Sequence, residues 1–268
     1  MKTLGKEYES LRAARARDEN EAPEQIVLDW KPDKTEPLPR LAFKGVRSEL
    51  YHSPITGTLN VRWTGELVDG EISIVPMTQP KVRVRRPARY YVPAAWYPIV
   101  DKLRLQGIEV VRLDEPTTVE VEMYRLPDAA IDPDNCPYEG RCRFKPGEPI
   151  VERRKLDLPA GSFRVETAQP LGTLAVLLLE PQAPDSFFQW GYLAEILQRT
   201  EYVERYVMEP MAQAMLEADP GLRAEFEKKL IDDSDFAGDA SARLQWFYEK
   251  TPFYDSEHRL YPIARSYP

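Results

Sequence analysis

The chain has 268 residues, 43% of them hydrophobic and 30% charged, a balance that sustains a buried core and excludes wholesale disorder. Its 44 acidic against 36 basic side chains leave a formal charge of −8, so there is no general attraction to phosphate backbones or anionic lipid, and no nucleic acid is expected as partner. The longest purely apolar run, Leu174–Leu179, falls far short of the roughly 18 residues a membrane span needs. The N-terminal stretch is charged throughout and carries no secretory signal.

Residues 1–19 read as a thin amphipathic helix, with Leu4, Tyr8, Leu11 and Arg15 at three-to-four spacing. From Ala22 to Leu41 the chain carries four prolines and a single short apolar strand, Ile26–Trp30, so 1–40 is expected to be helix and linker. Residues 41–86 read as a β-rich segment, a meander broken at Pro54, Gly57, Gly65, Gly70 and Pro80. Within it, Leu59, Val61 and Trp63 alternating with Asn60, Arg62 and Thr64 predict a half-buried strand. Val82 and Val84, alternating with Lys81, Arg83 and Arg85, predict another.

The period changes over 87–182, which reads as a small α/β unit. Ala88–Pro93 is a predicted strand. Trp96–Gln106 is a helix with Ile99, Val100 and Leu103 on one face and Gly107 as its left-handed cap, and Ile108–Leu113 is the next strand. Strand, short helix, glycine, strand predicts a β-α-β unit whose two strands run parallel. Thr118–Leu126 alternates Val119, Val121 and Met123 with Glu120, Glu122 and Tyr124, and adds a strand. Asp128–Pro149 is a loop with four prolines, two glycines and both cysteines. Ile150–Leu158 and Gly161–Glu166 read as strands joined by the Pro159–Gly161 turn. The apolar run that follows reads as a buried helix opening at Pro170, with a buried strand as the alternative.

Residues 183–268 form a helical C-terminal segment. Asp185 is placed to cap a helix over Ser186–Gln198, and Thr200 opens another carrying Tyr202, Val203, Tyr206, Val207 and Met211 on one side. Asp219-Pro220 starts a third, Ala240–Thr251 is the last, and an extended tail runs to Pro268. The fold class is therefore mixed, α+β: a β-rich segment, a small β-α-β unit and a helical C-terminal segment.

Chemistry-bearing residues are sparse. The chain has two histidines, His52 and His258, followed at plus three by Ile55 and Tyr261, so neither has the neighbouring carboxylate of a His/Glu/His zinc site. No metal ligand and no catalytic residue is assigned. Cys136 and Cys142, with five residues between them, form a disulfide in an oxidising compartment and remain thiols in a reducing one. Glu120 and Glu122 read as a strand's wet face, and Asp232, Asp233 and Asp235 as an inter-helix loop. There is no phosphate-cradling glycine loop and no nucleophile elbow. The basic run Lys81, Arg83, Arg85, Arg86 and Arg89 reads as a solvated strand face, with an anion site as the alternative. The aromatics Phe187, Phe188, Trp190, Tyr192, Trp246, Phe247 and Tyr248 read as core or interface anchors.

Four stretches carry a resemblance. Arg89–Leu113 (RYYVPAAWYPIVDKLRLQGIEVVRL) and Leu158–Leu197 (LPAGSFRVETAQPLGTLAVLLLEPQAPDSFFQWGYLAEIL) resemble, in that order, the region after the catalytic domain of large bacterial zinc carboxypeptidases of the carboxypeptidase A type. Tyr51–Gly65 (YHSPITGTLNVRWTG) is similar to their preceding strand region, and FYEKTPFYD with LYPIAR to their C-terminus. The likeness covers roughly residues 40–268. It implies that the zinc ligands, the substrate-carboxylate arginine and the general-base glutamate lie upstream, with no matching position here, and that residues 1–19 are the last helix of a catalytic domain. The chain is then expected to be an accessory, non-catalytic portion. Its cofactor, zinc, would belong to the absent domain, its partner would be a catalytic peptidase domain in cis or on a separate chain, and its contact with peptide substrate would be indirect. The resemblance also implies a periplasmic or extracellular location, where a Cys136–Cys142 bridge is stable. Two other expectations stand beside it. A free-standing peptide or cell-wall binding module would present a polar surface, whereas a hydrolase using dispersed carboxylates would bring two acidic groups together in a pocket.

Overall fold

The computed structural model describes residues 7–13, 23–198 and 203–268. The mixed α+β class holds. Residues 7–13 are helical and exposed, and the rest of the helix predicted over 1–19 lies outside the described residues, as does the predicted helix opening at Thr200 with Tyr202.

The centre is a six-stranded sheet in the order β10-β7-β12-β5-β11-β6, with every neighbouring pair antiparallel. Its strands are β5 (Arg89–Val92), β6 (Val111–Arg112), β7 (Thr117–Arg125), β10 (Ile150–Leu158), β11 (Phe163–Glu166) and β12 (Ala264–Ser266). Alternation along each strand sends side chains to opposite faces. Tyr90, Val92, Tyr124, Phe163 and Val165 go to the main core with two helices, α1 (Tyr97–Leu105) and α2 (Gly172–Leu179). Tyr91, Val121, Met123 and Ala264 form a smaller cluster on the other face.

α1 forms as the sequence predicts: Ile99, Val100 and Leu103 are buried and Gly107 ends the turn at φ +88°. The flanking strands differ from expectation. β5 and β6 do run parallel, but β11 lies between them and pairs antiparallel with both. A short helix returns the chain one strand too far, and the gap is filled by a strand from much later in the sequence. The Pro159–Gly161 turn likewise joins β10 and β11, which are not partners.

The predicted meander is also replaced. β1 (Gln25–Lys31) pairs with β4 (Gln79–Arg85), and their Ile26, Leu28 and Val84 enter the main core. Between them, β2 (Arg40–His52) and β3 (Leu59–Ser73) form a separate two-stranded ribbon. β3 is one strand, but its pairing with β2 shifts register between Val46 and Ser48, opposite Gly65 at φ +83°, so the break expected at Gly65 is a bulge, while Gly70 pairs regularly with Phe43. The strand predicted to be half-buried is open: Leu59, Val61 and Trp63 are 66%, 54% and 69% exposed. Alternation requires an apolar face, but among the described residues nothing covers it.

α2 is the buried helix rather than the alternative strand, with Ala175, Val176 and Leu179 inside. Its glycine start is steric, since a Cβ on Gly172 would fall 1.8 Å from the Thr167 carbonyl oxygen. The stretch after Asp185 does not become the predicted helix. It folds as turns ending in a short 3₁₀ segment, Ala194–Leu197, and the Asp185 carboxylate accepts from Trp190 Nε1 instead of capping. Phe187 and Phe188 are both buried, and Gly191, at φ +71°, lies so near the Cys142 carbonyl that a Cβ would sit 2.9 Å away.

The helices α3 (Arg205–Ala218), α4 (Pro220–Asp232), α5 (Ser234–Gly238) and α6 (Ala240–Tyr248) share a core of Met208, Ala212, Phe247 and Tyr248. Asp219 Oδ1 accepts from the Gly221 and Leu222 N–H groups, the predicted cap, worth about 1 kcal/mol. The terminal stretch, read as an extended tail, is instead the third strand of the sheet: β12 lies between β7 and β5, with Arg265 opposite both Tyr90 and Glu122.

Candidate functional site

Ionic chemistry concentrates where α2 ends against the sheet. Glu180, the first residue after the apolar helix, is 1% exposed, and Arg265 on β12 is 5% exposed. Glu180 accepts from Tyr90 Oη at 2.7 Å and from Arg265 Nη1 at 3.3 Å. Arg265 also donates to Tyr124 Oη, reaches Glu122 Oε2 at 3.4 Å, and stacks its guanidinium 3.9 Å from the Tyr124 ring centre. Burial raises the Glu180 carboxyl above the usual carboxylate range, against the opposing pull of Arg265 and the tyrosine hydroxyls. Burial works to lower the Arg265 pKa, but Glu180 and the surrounding phenols outweigh it and hold the guanidinium charged. Tyr90, Tyr124 and Tyr261 are all raised, chiefly by burial. Tyr261 donates to the Leu179 carbonyl at 2.6 Å, which fastens the last turn of α2.

Beside this pair opens a cavity of about 530 Å³ lined from the end of β4 and from β7, β10 and β12. Arg85, Arg153, Lys155, Arg265, Ser266 and Tyr267 line it, together with Glu120 and Glu122. Arg153 pairs with Glu122 at 3.1 Å. Arg85 rests 4.7 Å from the Tyr267 ring centre, and burial pushes the Tyr267 hydroxyl up to about 12. One polar atom of the cavity-facing residues, Arg265 Nε, is buried without a hydrogen-bond partner.

The remaining residues singled out in the sequence are scattered. His52 lies on the ribbon and His258 in the segment before β12. Among the described residues no three His, Cys, Asp or Glu side chains gather to hold a metal ion, and the donor set does not fit the zinc of the resembled family. The Cys136 and Cys142 sulfurs lie within bonding distance, with their Cα atoms 4.2 Å apart. Their loop is held by stacking: Arg141 lies 3.9 Å from the Tyr192 ring centre and Arg143 4.1 Å from that of Trp190. Asp233 caps α5 through the Phe236 N–H, so the acidic cluster there is a helix start. The basic run divides: Lys81 pairs with Asp29 and Arg89 with Glu166, Arg86 donates to the Thr167 carbonyl, and Arg85 turns into the cavity.

Glu180 and Arg265 were not singled out from the sequence, although both lie inside the stretches that carry the resemblance. The one local signal was a carboxylate closing an apolar run, where a wet side chain is least at home. Two more residues of those stretches are framework. Thr167 Oγ1 donates to the Pro87 carbonyl at 2.6 Å. Gln169 accepts from the Glu109 N–H and donates to the Glu109 and Glu166 carbonyls, joining strand to helix.

No family model matches the chain, and no solved structure matches it. Among curated proteins it is similar to Carboxypeptidase 2 of Trichophyton tonsurans, at 33% identity over 108 residues, 40% of this chain and 20% of that protein. It is also similar to Carboxypeptidase 2 of Trichophyton rubrum, at 31% over 115 residues, 43% of this chain and 21% of that one. A further relative is Probable carboxypeptidase 2 of Arthroderma benhamiae, at 32% over 100 residues, 37% of this chain and 18% of that one. The match spans about a fifth of the length of these relatives. About two fifths of the chain is thus a carboxypeptidase-related region.

Proposed function

We propose that the chain is the accessory portion of a zinc metallocarboxypeptidase-like protein and docks through the β2–β3 ribbon onto a peptidase domain, in cis or on a separate chain. The observation that carries this reading is the ribbon's apolar face. Leu50 opposes Val61, His52 opposes Leu59, and Trp63 follows on the same side, with Leu50 70% exposed. The other face of that half is polar, where Glu49 pairs with Arg62 beside Tyr51 and Asn60. An isolated two-stranded ribbon is marginally stable in water, and an apolar face of this length marks a contact surface. A free-standing module would have little use for it.

In this reading hydrolysis by zinc-activated water belongs to the partner domain, and this chain shapes and supports it. The chain incubated with zinc and peptides ending in aromatic or aliphatic residues is expected to release no C-terminal amino acid. Turnover that a chelator abolishes would refute the accessory role. The same reading places the protein in the periplasm or outside the cell, with Cys136 and Cys142 bridged. Intact mass after alkylation without reductant should then show no label, and two labels on protein taken from its native compartment would place it elsewhere.

A further inference from the structure

We infer that the cavity beside the Glu180–Arg265 pair is a binding site for a small oxyanion, the carboxylate or phosphate group of an organic ligand. The argument starts from which cations are already paired. Arg265 is held by Glu180 and Glu122, and Arg153 by Glu122. Arg85 and Lys155 make no ion pair with any carboxylate among the described residues, yet both line the same wall. They come from different units, Arg85 from the end of β4 and Lys155 from the middle of β10, so the fold brings two uncompensated charges to one cavity. Glu120 lies opposite Lys155 across the strand pair without closing an ion pair with it.

The wall is also prepared for an acceptor. The Arg85 guanidinium lies over the Tyr267 ring, 4.7 Å from its centre, a contact that restrains a group able to donate in the paired geometry that carboxylates and phosphates accept. Arg265 Nε, buried without a partner, is a donor that an oxygen-rich ligand or its bound water would satisfy after a small side-chain shift. The buried Glu180–Arg265 pair fixes β12, and with it Ser266 and Tyr267, against β5 and β7. The acidic chain as a whole repels anions, so a local basic cavity selects by contact rather than by long-range steering.

The test is titration of the whole chain with acetate, citrate and inorganic phosphate, with sodium chloride at matched ionic strength as control, read by calorimetry and by the thermal midpoint. At least one oxyanion is expected to bind saturably and raise the midpoint above the chloride control. The acetate and citrate arms report a carboxylate ligand, and the phosphate arm a phosphate one. Arg85→Ala and Lys155→Ala should each weaken that binding at least tenfold. Lys81→Ala, which removes an exposed cation outside the cavity, should leave it within twofold. Absence of saturable binding in all three arms, or equal binding by the Arg85→Ala and Lys155→Ala variants, overturns the inference. Neither result bears on docking through the ribbon.

Discussion

Arg265→Ala is expected to destabilise the protein by about 3–5 kcal/mol, because it leaves the Glu180 carboxylate buried without its countercharge. The loss includes the stacked contact with Tyr124. Its pH dependence identifies the cause. In the parent, the folded-state pKa of Glu180 already lies above the ordinary value of 4.5, and removing Arg265 lifts it further. A carboxyl raised on folding binds its proton more tightly in the native state, so stability falls as pH climbs from the unfolded pKa towards the folded one. The variant should therefore lie nearest the parent at about pH 4.5 and fall away as the pH rises to neutrality. Urea denaturation at several pH values measures this directly. A deficit that stays constant with pH would mean that lost packing, not the stranded charge, dominates. The double variant Arg265→Met with Glu180→Gln should recover most of the stability, since an uncharged pair of similar volume carries no penalty for desolvating a charge.

Leu50→Glu combined with Val61→Lys is expected to change docking and not folding. The two positions face each other across β2 and β3 and are both exposed, so the new side chains form a cross-strand ion pair in place of an apolar one. Stability should stay within about 0.5 kcal/mol of the parent, as for surface positions generally. If the ribbon is the docking face, central apolar positions are its anchors. Charging them should then weaken binding to the peptidase domain, expressed as its own chain, by about 2 kcal/mol or more, some thirtyfold. Equal affinity for parent and variant, measured by calorimetry, would remove the ribbon from the interface. Binding of an apolar dye by the isolated chain should fall in parallel.

Two helices are legible from their local pattern alone. The α1 pattern of Ile99, Val100 and Leu103 with Gly107 at its end needs only one turn of chain to be recognised, and so does the Asp219-Pro220 start of α4. The failures share one cause. Alternation at Leu59, Val61 and Trp63 states that one face is apolar, but whether a second layer covers that face is a property of some other segment. The aromatic run from Phe187 to Tyr192 has the composition of a buried helix. The close approach of Gly191 to the Cys142 carbonyl and the pull of both phenylalanines into the core turn it into irregular chain.

The site lay further out of reach for the same reason. Glu180 and Arg265 are distant in sequence and meet only because β12 slots between β5 and β7. Arg85 and Lys155 are likewise brought to one wall by two separate strand pairings. By itself the sequence determined the class of fold and the short helices Tyr97–Leu105 and Pro220–Asp232 with their ends, because these depend on neighbours within a turn or two. Only the tertiary structure decided strand order, the exposure of the ribbon and the pairing of buried charges, because each depends on which distant segment comes to lie alongside.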